Sequence, residues 1–185
     1  MDELPTFSKM DVARANLRAA IQSHFARAHP AVVETLNGAV NTVLRDLGKK
    51  EGITGAIHGT DFFEGDNLKK WVGLLHEPQN FHKHADKEGP DATVEHNSLL
   101  THMLMVESCQ LFRLLSGSYE NFKDEIELQV FEIWFVLKYP WVADDLDFVK
   151  HHPFGEDLLT LGVDDFPAWI QYIDSRRACQ TKPTE

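Results

Sequence analysis

Apolar side chains recur every three or four positions along most of the chain, the period of a helix with one face turned inward. Between residues 8 and 28 the stripe is Met10, Ala13, Leu17, Ile21 and Phe25. Pro30 ends that run and suits the first turn of the next helix, where its missing N–H costs nothing. The second stripe is Val33, Leu36, Val40, Val43 or Leu44, and Leu47, and Gly48 stands where a left-handed C-cap is expected. So short a connection predicts an antiparallel pair. From 52 to 65 the period is lost in a glycine-rich stretch that reads as loop, with a short strand pair as the alternative. Asp66 or Asn67 can cap a third helix holding Leu68, Trp71, Val72, Leu74 and Leu75. Pro78 stops or kinks it, and 78–88 can form a further short helix.

Two long helices are predicted next. Asn97 or Ser98 caps the first, which carries Leu99, Leu100, Met103, Leu104, Val106, Leu111, Leu114 and Leu115 and ends at Gly117. The second spans 119–139. Its run FEIWFVL at 131–137 is apolar almost all round, which marks it as the central helix. Leu104, Leu111, Phe131, Trp134 and Leu137 are the expected deepest side chains. After Pro140 the elements shorten to pieces near 144–150 and 154–161, before a last helix capped by Asp164 or Asp165 and holding Phe166, Trp169, Ile170 and Ile173. The expectation is an all-α fold: a single-domain antiparallel helical bundle of six to eight helices over 1–178, with 179–185 as a frayed tail. No internal repeat and no linker rich in Ser, Gly or Pro divides the chain.

Composition narrows the function classes. The 185 residues can bury a core without a disulfide or metal. Eighteen Lys plus Arg stand against 29 Asp plus Glu, a net charge of −11. That balance argues against broad electrostatic binding of nucleic acid but leaves room for a local basic patch. Cys109 and Cys179 match no zinc or redox spacing, so a reducing, cytoplasmic setting is expected. The opening MDELPTFSKMD lacks a signal peptide's apolar run, and no apolar segment reaches ~18 residues, so no membrane partner is expected.

The densest polar cluster is HEPQNFHKHADKE at 76–88. His82 and His84 are two apart and point about 200° away from each other on a helix. They can share a metal only in an extended conformation; no cysteine joins them and no HExxH pairing is present, so neither metal nor cofactor is expected. Asn80 and His84, four apart, meet on one helix face. His76 extends that face by a turn if Pro78 only kinks the helix, and Lys83 lies to one side. A histidine that passes a proton, beside an amide and a cation that bind an oxyanion, suits phosphodiester cleavage. The candidate catalytic residues are His84, Asn80 and Lys83; the candidate ligand-binding residues are His76, Gln79, His82 and Asp86. The plainer alternative is a polar pair that only orients itself and fixes a loop. Elsewhere, His24 and His29 can complement the dipole at the end of the first helix, and His96 and His102 can approach the 76–88 cluster in space.

The stretch Gln79-Asn80-Phe81-His82-Lys83-His84 resembles the motif of the HEPN superfamily, helical proteins that include many ribonucleases. Their motif is Arg, often followed by Asn, then three variable residues and His. Asn80 and His84 fall on the Asn and His positions, whereas Gln79 occupies the Arg position and lacks its charge. The resemblance implies a metal-independent ribonuclease with His84 as general acid or base, Asn80 as its orienting or phosphate-contacting partner and Lys83 as substitute cation. It also implies a homodimer in which two motifs face one cleft. More broadly, the helix HPAVVETLNGAVNTVLRDLGKK followed by NFHKHAD is similar to an uncharacterised bacterial all-helical family with an NFxKHAD-type motif, over about 30–140 and with no activity implied. Two functions therefore stand open. One is a non-catalytic binding or regulatory module with a polar site at 76–88 for RNA, a nucleotide or an acidic partner segment. The other is the HEPN-like ribonuclease. The acidic charge, the missing Arg and the lack of a second catalytic motif favour the first.

Overall fold

The structure, a computed structural model, describes residues 5–58, 65–83, 89–117, 124–142 and 147–180, apart from the side chains of Lys83 and Phe148. The described residues are helical, with no strand among them, and form a single-domain bundle. Helix α1 (Lys9–Phe25) starts in a reciprocal cap. The Ser8 hydroxyl accepts from Asp11 N–H, and the Asp11 carboxylate accepts from Ser8 N–H, each at 3.0 Å. Its buried face is Ala13, Leu17, Ala20, Ile21 and Phe25, close to the stripe read from the sequence. The connection 26–29 turns the chain back into α2 (Pro30–Glu51), with Pro30 at its first position.

Two punctuation residues do not end their helices. Helix α2 does not end at Gly48; it runs a turn further and ends on Gly52, whose φ of 70° is left-handed. Gly48 serves a different need. The chain folds back so closely that a Cβ there would sit 2.8 Å from the Ile53 carbonyl oxygen. Likewise Pro78 does not stop the third helix. Helix α3 runs from Asp66 to Lys83 with Pro78 inside it, where position 78 has no N–H to give the Leu74 carbonyl.

Helix α4 (Ser98–Leu115) is capped by Asn97, whose side chain accepts from Leu100 N–H at 3.2 Å. Helix α5 is described from Ile126 to Lys138; residues 118–123, where its start was expected, lie outside the described ones. A 3-10 turn at Pro140–Val142 and helical turns at Asp147–Lys150 and Gly155–Leu159 lead to α6 (Phe166–Gln180). Asp165 caps α6 by accepting from Ala168 N–H at 3.3 Å. This helix passes residue 178, so Cys179 and Gln180 belong to it and not to a tail; 181–185 lie outside the described residues.

Helix α1 packs against α2, α2 against α4, and α5 against α1, α4 and α6, while α3 packs against α2 and α4. As the apolar run implied, α5 is central: every residue from Ile126 to Phe135 except Glu132 is buried. Leu111, Phe131 and Trp134 are fully buried as expected, and the Trp134 indole donates to the Val163 carbonyl at 2.8 Å. Leu104 and Leu137 are only half-buried, Leu104 because it faces a cavity. Two carboxylates at the start of α5 are inside as well. Glu125 pairs with Arg14 and Arg18 at 2.8 and 2.9 Å, and Glu127 pairs with Arg18 and Arg177. His24 turns into the core rather than toward the α1 dipole. Its ring lies 4.7 Å from His102, 4.5 Å from Trp134 and 5.2 Å from Phe166. His29 caps α2, its Nδ1 accepting from Ala31 N–H. Among the described residues no helix is long and apolar enough to cross a membrane.

Candidate functional site

The polar chemistry of the fold gathers where α2, α3 and α4 meet. Its hub is Glu107 on α4, whose side chain is fully buried. The loop at 53–58 wraps this carboxylate: Ile57 and His58 donate their backbone N–H groups to Oε1 at 2.9 and 3.0 Å, and His58 Nδ1 lies 2.5 Å from Oε2. Gly55 makes the wrap possible, because a Cβ there would fall inside van der Waals contact of Oε1. Asn41 on α2 donates its amide to Oε2 at 3.1 Å and to Ser108 Oγ at 3.3 Å. Burial, the largest influence on Glu107, pushes its pKa up; the His58 hydrogen bond and charge, with Asn41 and the His58 N–H, pull harder the other way. The carboxyl therefore lies below its ordinary value.

The network continues outward. His58 Nε2 is 3.0 Å from His76 Nε2, and Arg45 Nη1 is 2.8 Å from the same His76 nitrogen. Arginine only donates, so His76 Nε2 is the acceptor and carries its proton on Nδ1, which faces Gln79 Oε1 at 3.4 Å. His58 Nδ1 faces a carboxylate that can only accept, so it is the donor to Glu107. Burial, and next the charges of His58 and Arg45, hold the His76 pKa below its ordinary value. Gln79 is buried and packs directly over Gly38, where no Cβ would fit beside it. A second cluster forms one turn further along. Glu34 Oε1 accepts from His96 Nδ1 at 2.7 Å, Thr101 Oγ1 lies 3.1 Å away, and His82 Nε2 is 3.7 Å from Oε2.

Between the two clusters lies a cavity of about 150 Å³. Glu34, Asn37, Asn41, His76 and Gln79 supply its polar lining, Leu75, Leu100 and Leu104 an apolar wall, and Glu77 and Glu95 add two exposed carboxylates. Asn37 and Asn41 are 2% and 1% exposed, and the side-chain oxygen of each has no hydrogen-bond partner among the described residues. A buried acceptor left unpaired costs on the order of 1–3 kcal/mol.

The residues expected from the sequence divide three ways. His76 and Gln79 join the Glu107 network, and His82 joins Glu34 with His96. Asn80 is exposed, as its helix face required, but it points away from the buried Gln79 beside it. His84, Asp86 and the Lys83 side chain lie outside the described residues. Of the two more distant histidines, His96 does reach the cluster through Glu34; His102 instead meets Tyr139 at 2.8 Å, beside His24. Among the described residues no group of three His, Cys, Asp or Glu side chains is arranged to hold a metal ion. Sequence reasoning missed Glu34, Asn37, Asn41, Arg45, His58 and Glu107. A signal was present: positions 34, 37, 38, 41 and 45 follow helical spacing and form a polar and small-residue stripe beside the apolar one on α2.

Compared with known proteins, the chain matches no family model, and no curated protein or solved structure is significantly similar to it.

Proposed function

We propose that this chain is a non-catalytic binding or regulatory module whose ligand sits in the cavity between α2, α3 and α4. The observation that carries the reading is the cavity itself, in which Glu34, Asn37, Asn41, His76 and Gln79 meet an apolar wall of Leu75, Leu100 and Leu104. The neighbouring acid–base groups support it. Glu107 is enclosed by N–H donors, Arg45 is directed at His76, and the His76 lone pair is directed at Arg45, so each engages another protein group and not the open space. The ribonuclease reading rests on His84, and Gln79, at the motif's Arg position, is packed against α2.

The test is a thermal-shift panel of small cations, neutral amides and anions on the intact chain, alongside a ribonuclease assay. A compound that raises the melting temperature of the wild type but not of Asn37→Leu supports the cavity reading. Ribonuclease turnover that disappears in His84→Ala replaces it with the catalytic one.

A further inference from the structure

We infer a second binding site, apart from the cavity between α2, α3 and α4, that takes a small aromatic carboxylate, its carboxylate between Arg27 and Lys138 and its ring against a row of side-chain rings. The pocket opens where the end of α1 meets the starts of α2, α4 and α6, beside the end of α5, and measures about 340 Å³. That lies within the roughly 300–1,000 Å³ of small-molecule sites. Its wall is a run of four rings, Phe166, His24, His102 and Tyr139, with successive centroids 5.2, 4.7 and 5.9 Å apart. Trp134 backs the middle of the run, 4.5 Å from His24 and 4.9 Å from His102. Phe166, His24 and Tyr139 are only half-buried, so they still offer surface to a ligand. Trp141, 67% exposed and 6.1 Å from Tyr139, continues the row outward.

Charge decides what the ring must carry. Arg27 and Lys138 line the pocket, and among the described residues no Asp or Glu does. Glu34, on α2, faces His96 of the lining at 2.7 Å but is not itself part of it. His24 and His102 are neutral at pH 7, burial above all holding them down to about 4 and about 3, so the two cations set the sign. They follow different helices and meet at one residue. Arg27 Nη2 donates to the Asp164 carbonyl at 3.1 Å, and Lys138 Nζ donates to the Asp164 carboxylate at 2.7 Å. Lys138 therefore already receives a carboxylate. With the Asp164 side chain 73% exposed and that of Lys138 32% exposed, the pair lies at the surface, where such a bridge contributes little. An incoming carboxylate can take the place of Asp164 at small cost.

The backbone at Arg27 supplies an independent mark. Helix α1 ends in a Schellman turn, in which Arg27 N–H donates to the His24 carbonyl at 3.0 Å and Ala28 N–H to the Ser23 carbonyl at 2.9 Å. The turn holds Arg27 at a left-handed φ of 53°, and among the described residues it is the single non-glycine residue with positive φ. Glycine fits that position without strain, and arginine does not. What arginine supplies in exchange is a solvent-exposed guanidinium held 4.9 Å over the Phe166 ring. Strain of this kind collects where a side chain is needed for binding. A guanidinium fixed on a ring, with an ammonium group beside it, suits a planar carboxylate whose own ring packs on the same aromatic wall.

The experiment is calorimetric titration of the full chain, at fixed ionic strength, with benzoate, with benzamidine as its cationic counterpart of the same shape, and with acetate as the same anion without a ring. Benzoate is expected to bind in the millimolar range and benzamidine not to, with acetate weaker than benzoate by about tenfold or more. Arg27→Gly and Lys138→Gln should each weaken benzoate by about tenfold or more. Arg27→Gly relaxes the left-handed turn, so it should keep the wild-type circular dichroism spectrum while losing affinity; an arginine that only pins α1 to α6 would lower stability and leave benzoate affinity unchanged. If a variant does not fold, the side-chain N–H resonances of Arg27 and Trp134 in the wild type must move on adding benzoate and stay in place on adding benzamidine. Acetate binding as tightly as benzoate removes the aromatic wall from the site, and equal binding of benzamidine removes the cations. Benzoate affinity unchanged in both variants places the binding elsewhere. Each of these overturns the inference, as does silence of benzoate up to about 20 mM.

Discussion

His24 and His102 should make the fold lose stability in mild acid, and replacing His24 by Phe should remove about half of that loss. Both rings sit in an aromatic cluster with Phe131 and Trp134, and His24 Nε2 is buried without a partner. Burial lowers the His24 pKa to about 4. Burial, and then the charges of His24, His96 and Lys138, lower that of His102 to about 3. A group whose folded pKa is depressed stabilises fully above its unfolded value, here 6.5, and loses that contribution as pH falls toward the folded one. Protonating the unfolded imidazole but not the buried one costs about 1.4 kcal/mol per pH unit, so from pH 7.5 to 5 each histidine removes about 2 kcal/mol.

Glu132 acts in the opposite direction. Burial raises its pKa to about 7 against the opposing charge of Arg113, so its contribution is present below 4.5 and fades as pH rises through 7. Over the same interval it returns about 2 kcal/mol on acidification. The wild type should therefore lose only about 2 kcal/mol from these three groups together, a modest slope that conceals larger opposed parts. His24→Phe isolates one part, since His76, Glu107 and Glu132 titrate equally in both proteins and cancel in the difference. Phe suits the site, whose neighbours within 5.5 Å are Phe25, His102, Phe131, Trp134 and Phe166. The assay is urea unfolding at pH 7.5, 6.5, 5.5 and 5.0, followed by both tryptophan fluorescence and circular dichroism. Between the extremes the variant should lose about 2 kcal/mol less than the wild type. Parallel curves, agreeing to within about 0.5 kcal/mol, would refute a neutral buried His24.

Other expectations follow from the same structure. Glu132→Gln should lose the acid-side compensation, so its stability should drop by about 2 kcal/mol more than the wild type's between pH 7.5 and 5 in the same unfolding series. Glu107→Gln turns an N–H₂ toward groups that already donate and should cost about 3 kcal/mol at pH 7.5; a loss below about 1 kcal/mol would mean that the carboxylate does not hold loop 53–58. Gly55→Ala forces a methyl against Glu107 and should cost about 2 kcal/mol, with earlier proteolytic cleavage near 53–58 as the local readout. Asn37→Leu, free of ligand, should match or exceed wild-type stability by about 1 kcal/mol, because it removes a buried unpaired oxygen.

Much of the bundle was legible because helix period and capping are local. The α1 stripe, Pro30 at the start of α2, the Asn97 cap and the burial of α5 each depend on residues within a turn or two of one another. Errors arose where a local cue competed with a distant contact. Gly48 reads as a helix end because glycine favours left-handed backbone, but the residue answers to the Ile53 carbonyl passing over it, while Gly52 does the capping. Pro78 reads as a stop or a kink because it deprives the Leu74 carbonyl of a donor; packing of α3 against α2, with Gln79 filling the notch over Gly38, accompanies its continuation past that point.

The site was harder to see for a related reason. Glu107 meets His58 across 49 positions and Asn41 across 66, so neither pairing leaves a trace at short range. The histidines at 76–84 drew attention through their density, yet His76 and His82 take their roles from Arg45 and Glu34 on another helix. The stripe on α2 did carry information. Glu34, Asn37, Gly38 and Asn41 recur at helical spacing directly beside Val33, Leu36, Val40 and Leu44. On a helix packed on two sides, as α2 is by α1 and α4, such polar positions cannot all be solvent-facing. A buried polar stripe needs partners, and here α4 supplies them for Glu34 and for the Asn41 nitrogen but not for the two asparagine oxygens. That unmatched remainder lies on the α2 face that lines the cavity, at a distance in sequence from the richest cluster of histidines.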